Sequence, residues 1–198
     1  CATSGWARIG QYRNGTNNSG NGTGSVQVGA FWKVAASASE TNPQVDTGGG
    51  GVAQAGFVAL SYQKGASEFW VDPVGDGGPD TTSGTSHSAT IQSHVSVITG
   101  DMVDFFTGIC DDTTMTVPTF TQTGVTLGTV SEQPATAGTD TSGSDGAYDG
   151  GYRLASSGTS SAAAVVTGTL SSSAPPAGVT GWARFRCAVE VILWHEIA

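Results

Sequence analysis

Apolar and polar residues alternate along much of the chain, and clusters of Gly, Asn, Asp and Pro separate the alternating segments. A period of two is typical of β-strands, and these four residue types are typical of turns. The pattern predicts nine strands at residues 6–13, 25–35, 55–63, 89–98, 102–110, 125–131, 152–155, 160–170 and 182–194. Little or no helix is expected.

The last predicted strand has the strongest alternation. Every second residue from Phe185 to Leu193 is apolar, whereas Arg184 and Arg186 belong to the opposite face. A long strand with one wholly apolar face is expected in the middle of a sheet.

Three long segments, residues 37–51, 72–88 and 133–146, show no strand pattern. Loops longer than about 12–15 residues are uncommon in compact domains and often have a function. We expect these Gly/Ser/Thr-rich loops to contact a neighbouring chain or to form an exposed rim. Strands and loops together predict that residues 1–198 form a single antiparallel β-sandwich domain.

Composition and charge exclude several classes of partner. The 198 residues include 30 Gly and are 37% hydrophobic, and 16 acidic against 7 basic residues give a formal net charge of −9. Affinity for nucleic acid comes mainly from clustered Lys and Arg, so no nucleic-acid partner is predicted. No segment approaches the roughly 20 apolar residues of a membrane-spanning helix, so no membrane partner is predicted either.

The three cysteines, Cys1, Cys110 and Cys187, have no CxxC spacing and indicate neither a disulfide framework nor a zinc site. Cys110 and Cys187 lie in apolar, strand-like segments, where a free cysteine behaves as a small hydrophobic residue. Buried free thiols are therefore favoured over a bridge between them.

An acidic, Gly-rich segment carries Asp72, Asp76 and Asp80. Calcium is bound by oxygen ligands of flexible loops, but the alternating ligands and the later bidentate acid of calcium loops are missing here. A solvated acidic turn is the preferred interpretation. His87 and His94 have no third ligand at a suitable spacing and are expected on the surface. The sequence predicts no metal site and no cofactor.

Catalytic motifs are also missing from the sequence. It contains no Gly-x-Ser-x-Gly motif. Asp101 with Asp104, or Asp111 with Asp112, could supply the two carboxylates of a glycosidase, but residues three apart on a strand point to opposite faces. No catalytic residue is predicted.

One group of residues could contact a ligand. Trp70 could stack on a sugar beside the acidic segment of Asp72, Asp76 and Asp80. The competing interpretation is that the tryptophans belong to the core, because aromatic residues make up only 8% of the chain. This group supports an alternative function as a glycan-binding, receptor-recognition or cell-surface adhesin module.

The order of several segments resembles the jelly-roll sandwich domains found among structural proteins of tailed bacteriophages, in head decorations and tail appendages. The resemblance is carried by residues 4–9 (SGWARI), 29–35 (GAFWKVA), 38–43 (ASETNP), 55–62 (AGFVALSY), 99–103 (TGDMV) and 188–193 (AVEVIL). It spans nearly the whole chain. These proteins usually carry further strands before the Gly-Trp segment, at which this chain begins.

The resemblance implies a jelly-roll-like sandwich that lacks those N-terminal strands or receives the equivalent edge from a neighbouring chain. It also implies a non-enzymatic virion structural protein that binds capsid or tail proteins. Such a subunit is expected on the particle surface as a homo-oligomer, for which a trimer is plausible.

Overall fold

The structure, a computed structural model, describes residues 5–14, 26–36, 68–80, 84–91, 96–109, 113–132, 138–139, 147–174 and 178–189. Within these ranges the regular elements are thirteen β-strands. They are β1 (Ala7–Asn14), β2 (Val26–Trp32), β3 (Glu68–Asp80), β4 (Gly84–Ile91), β5 (Val97–Ile98), β6 (Met102–Ile109), β7 (Met115–Gln122), β8 (Val125–Leu127), β9 (Ser131–Glu132), β10 (Gly138–Thr139), β11 (Ala147–Ser160), β12 (Ala164–Ala174) and β13 (Gly178–Val189).

The strands pair antiparallel in three sheets. The largest sheet has the order β10-β11-β6-β13-β3, and β5, β8 and β9 also pair with β11. The second sheet has the order β4-β12-β7, and β1 pairs with β2. Because β13 lies between β6 and β3, the predicted central position of the last strand is confirmed.

The large sheet packs against the three-stranded sheet. Phe105 of β6 stacks on Phe120 of β7 with ring centroids 6.0 Å apart, and both are buried with Val103 and Val166 in one apolar cluster. Two facing sheets with apolar side chains between them are the arrangement of a β-sandwich. The predicted all-β, antiparallel class is confirmed, whereas the jelly-roll order of connections stays a prediction.

A narrow point divides the core between the two sheets. Thr107 lies between Phe105 and Ile109 on the core face of β6, and Gly168 of β12 lies against it. A Cβ atom on Gly168 would be 2.7 Å from Thr107 Cγ2, so the sheets approach too closely for a side chain at position 168. The second apolar cluster, which contains Ile109, is on the far side of this contact.

The prediction that residues 72–88 lack strand structure is wrong, because β3 and β4 occupy most of that segment. Among the described strands, β3 pairs only with β13 and is an edge strand. Edge strands tolerate Pro and Gly because their outward N–H groups need no partner in the sheet. The register also shifts at Asp72 and Pro73, which together face Phe185 in a bulge.

Two further strands differ from the sequence pattern. β7 lies outside the predicted strands. It accommodates Pro118 because the register shift beside Gly168 places this proline in a bulge. β11 is much longer than the predicted strand at residues 152–155, and its Gly and Ser residues conceal the alternation. Within the predicted loop at 133–146, the structure places the short strand β10. The predicted strand at 55–63 and the predicted loop at 37–51 lie outside the described residues.

Candidate functional site

The predicted contact residues Trp70, Asp72, Asp76 and Asp80 lie along β3. A bulge moves the residues on its two sides to opposite faces of a strand. Because the bulge includes Asp72, Trp70 shares the face of its register partner Cys187, whereas Asp76 and Asp80 belong to the other face. Ten residues of strand also separate the ends of the group by about 30 Å. Trp70 and the two carboxylates therefore do not converge on one surface.

Asp80 points into the protein, where it binds the backbone of β4. It is 7% exposed, and its Oδ2 accepts a hydrogen bond from the backbone N–H of Ser88 at 2.7 Å. His87 Nδ1 lies 3.7 Å from the same oxygen. The prediction of a surface position for His87 is wrong, because its side chain is fully buried. The cross-strand partner of His87 is Gly168, which leaves space for the imidazole. His94 lies outside the described residues.

Asp76 also binds the nearby backbone. Its side chain is half-buried, and Oδ1 accepts a hydrogen bond from the N–H of Gly77 at 2.8 Å. A buried Asp80 and a half-buried Asp76 on a strand correct the prediction of a solvated acidic turn.

A different polar cluster, which we call the arginine corner, consists of Ser96, Asp101, Arg184 and Arg186. Arg186 Nε donates to Asp101 Oδ1 at 2.7 Å, and Arg186 Nη2 donates to Asp101 Oδ2 at 2.6 Å. Arg186 Nη2 also donates to the Ser96 carbonyl at 3.0 Å, and Arg184 Nη1 donates to the same carbonyl at 2.9 Å. The corner joins β13 to the segment that precedes β6.

Asp101 also shapes the turn before β6. Its Oδ2 accepts a hydrogen bond from the Ile98 N–H at 2.9 Å, and its own N–H donates to the Ile98 carbonyl at 3.1 Å. Asp101 is only 1% exposed. A carboxylate that is engaged in this way is a structural anchor for the turn and for Arg186.

The two arginines of the corner differ in their electrostatic surroundings. The pKa of Arg186 is raised above its usual value, chiefly because its side chain hydrogen-bonds to Asp101. The pKa of Arg184 is lowered, first by burial and then by the charge of Arg186, and Asp101 offsets this only in part. Asp101 therefore stabilises the charge of Arg186 more than that of Arg184.

A third arginine lies in the same row of the large sheet. Arg153 and Arg184 both pair in register with Val103 and so flank it on the core face. Arg153 donates to three backbone carbonyls, those of Gly128 at 2.7 Å, Phe120 at 3.3 Å and Leu127 at 3.4 Å. Its guanidinium stabilises the chain between β7 and β9.

The opposite face of the same strands carries a row of apolar side chains. Leu154 and Phe185 each pair in register with Met102, so the three form a row across β11, β6 and β13, which we call the outer stripe. Leu154 is 49% exposed, and Met102 and Phe185 are half-buried. The outer stripe is an apolar row that is exposed at its Leu154 end.

The structure describes one of the two carboxylate pairs considered for glycosidase chemistry. Asp101 is buried against Arg186, while Asp104 is half-buried on the opposite face of β6 from Val103. Asp111 and Asp112 lie outside the described residues.

Cys187 is half-buried on β13, whereas Cys1 and Cys110 lie outside the described residues. Across the described part of the chain, no group of three or more His, Cys, Asp or Glu side chains could hold a metal ion. In the same ranges, no helix is long and apolar enough to cross a membrane.

The arginine corner was not predicted from the sequence. Its signal is the pair Arg184 and Arg186, two charges at alternate positions of a strand that is otherwise largely apolar. Their partner Asp101 is more than eighty residues away along the chain, so the sequence alone does not indicate the pairing.

Comparison with known proteins found no match: no protein-family model, no curated protein and no solved structure matches the chain.

Proposed function

We propose that the protein is a non-enzymatic structural subunit of a tailed-bacteriophage virion, a capsid decoration or a tail-associated protein, that acts through protein–protein contacts. Two features support the proposal: the resemblance of its segments to jelly-roll virion proteins, and its antiparallel all-β structure. In this role it binds capsid or tail proteins on the particle surface as a homo-oligomer, with a trimer as the simplest arrangement on a threefold axis.

The outer stripe is the observation that carries the proposal. Met and Phe are enriched at protein interfaces, and exposed apolar patches frequently mark them. Leu154 at the end of the stripe is 49% exposed, although a strand residue on the solvent face is commonly polar. The proposed contact surface is therefore the outer stripe.

The strands that carry the outer stripe are tightly packed on their core side, and a rigid backbone suits a docking surface. The alternate residues of β6, Val103 and Phe105, are 0% and 1% exposed on the core side. Because Leu154 points away from that core, a charged residue at position 154 should alter the surface without unfolding the sandwich.

The test combines self-association with binding to particles. Wild-type protein and the variant Leu154→Glu are examined by sedimentation velocity over a range of concentrations. Both are then mixed with purified particles of the phage whose genome encodes the chain, and co-sedimentation is measured. The control variant Thr119→Glu adds the same charge at an exposed position of β7, on the other sheet.

We expect the wild type and Thr119→Glu to self-associate or to bind particles, and Leu154→Glu to lose most of that binding. A wild-type protein that stays monomeric and does not bind particles contradicts the proposed function. Equal losses in the two variants contradict the assignment of the contact to the outer stripe.

A further inference from the structure

Arg184 has a buried hydrogen-bond donor that no described residue satisfies. The residue is 7% exposed, and its Nη1 donates to the Ser96 carbonyl. Its Nε is closed to solvent and has no acceptor among the described residues. Burial of a guanidinium without an acceptor for each donor costs free energy, so such a group needs an explanation.

The nearby carboxylate does not supply the acceptor. Asp101 Oδ1 accepts from Arg186 Nε, and Asp101 Oδ2 accepts from Arg186 Nη2 and from the Ile98 N–H. Asp101 therefore binds the neighbouring arginine and the turn, and it makes no hydrogen bond with Arg184.

The corner also carries more positive than negative charge. Two arginines share one aspartate, although the chain as a whole has a formal net charge of −9. Burial and the charge of Arg186 together lower the pKa of Arg184, as expected for a cation that lacks a full counter-charge. An anion placed beside Arg184 would remove this imbalance.

Arg184 lies on β13, next to the edge strand β3. Val74 pairs in register with Arg184 and shares its face, and Val74 is 36% exposed. Farther along the same face of β3, Phe69 is 46% exposed. The edge strand beside Arg184 therefore carries two exposed apolar side chains on the face that Arg184 shares.

We propose that the arginine corner is an oxyanion-binding site in which Arg184 Nε donates a hydrogen bond to a carboxylate. Arginine is the side chain best suited to this group, because its planar donors match the two oxygens of a carboxylate. The carboxylate comes from a small free acid or from an acidic side chain of a second copy of the chain. The site does not depend on whether the protein belongs to a virion.

Arginine Nε–Hε resonances in ¹⁵N-resolved NMR spectra test the proposal at the atom concerned. The variant Arg184→Met assigns the resonance of Arg184, and Arg8→Met assigns that of Arg8, an exposed control arginine. Sodium acetate then replaces sodium chloride at constant ionic strength. A second series varies the protein concentration without acetate.

We expect the Arg184 resonance to shift with saturation as acetate is added, whereas the Arg8 resonance stays nearly constant. If a second copy supplies the carboxylate, the Arg184 resonance shifts with protein concentration and acetate reverses that shift. An Arg184 resonance that responds to neither series overturns the proposal, and so does an equal response at Arg8.

Thermal unfolding of the variants provides a second readout. Arg184→Met leaves the Ser96 carbonyl with its hydrogen bond from Arg186, so this variant is expected to fold. Acetate should raise the melting temperature of the wild type and of Arg8→Met but not that of Arg184→Met. If acetate raises all three equally, the site is not at Arg184. If Arg184→Met does not fold, the Arg184 Nε–Hε resonance of the wild type is assigned through its bonds to the Arg184 backbone instead, and its response to acetate decides.

Discussion

Arg186 and Asp101 form a two-point ion pair in which Nε and Nη2 of the arginine donate to the two carboxylate oxygens at 2.7 and 2.6 Å. The carboxylate is almost completely buried, and the same group accepts a hydrogen bond from the Ile98 N–H. This one contact connects the central strand β13 to the turn that starts β6.

The first prediction concerns this ion pair. Asp101→Asn removes the counter-charge of Arg186, and breaking one side of a buried pair typically costs about 3–5 kcal/mol. We expect a loss of stability toward the lower end of that range, because the Arg186 side chain is partly exposed. Urea unfolding of Asp101→Asn, Arg186→Met and the double variant measures both the loss and the coupling between the two residues.

The double variant should be more stable than the sum of the two single effects predicts, since neither charge is then left alone. Additive losses would show that Asp101 acts only through the Ile98 turn and not through Arg186.

The second prediction compares two glycines with the same backbone conformation. Gly158 and Gly100 have φ values of +95° and +92°. A Cβ on Gly158 would collide with the carbonyl oxygen of Gly124, whereas a Cβ on Gly100 meets nothing within 4 Å. Gly100→Ala should cost only the strain of a left-handed residue, about 1–2 kcal/mol. Gly158→Ala adds a backbone collision and should cost about 3–5 kcal/mol.

Thermal and urea unfolding of both glycine variants measure the difference. Similar losses of stability in the two variants would mean that β8 moves away from β11 at little cost, contrary to the close packing of β8 against Gly158.

The third prediction concerns two buried threonines. The Thr107 hydroxyl has no hydrogen-bond partner among the described residues, whereas the Thr113 hydroxyl lies 3.2 Å from Ser171 Oγ. Valine has nearly the shape of threonine without the hydroxyl. Thr107→Val should therefore stabilise the protein by about 1 kcal/mol, since a buried polar group without a partner is destabilising.

Thr113→Val should have the opposite effect and destabilise by about 1 kcal/mol, because it removes a hydrogen bond and leaves Ser171 with one partner fewer. Differential scanning calorimetry of the two variants decides. A lower melting temperature for Thr107→Val would indicate that the hydroxyl has an acceptor after all.

The fourth prediction tests the narrow point of the core. Gly168→Ala places a methyl group 2.7 Å from Thr107 Cγ2, and overpacking of this kind typically costs about 1–3 kcal/mol. Thr107→Ser removes Cγ2 and should restore part of the stability that Gly168→Ala loses. Chemical denaturation of the single and double variants measures the rescue. A double variant as unstable as the sum of the single ones would place the clash elsewhere.

The sequence by itself determined the all-β class and most strand positions. Alternation at a period of two survives in β2, β6 and β13 because each carries regularly spaced apolar residues, and a strand places those on one face. The same pattern predicted the central place of β13. Where Gly, Pro and Asp interrupt the alternation, as in β3, the local pattern favours a loop, and the prediction fails.

Tertiary structure decided which strands take the edge, which face is buried and which charges meet. Pro73 is acceptable because β3 pairs on one side among the described strands and bulges there, and neither feature is visible in local sequence. The bulge separates Trp70 from Asp76 and Asp80, which otherwise would share a face. Arg184 appears in the sequence as a residue of the polar face, yet the register with Val103 places it on the core side. These outcomes depend on pairing between distant segments, and the pattern within one segment contains no information about its partner.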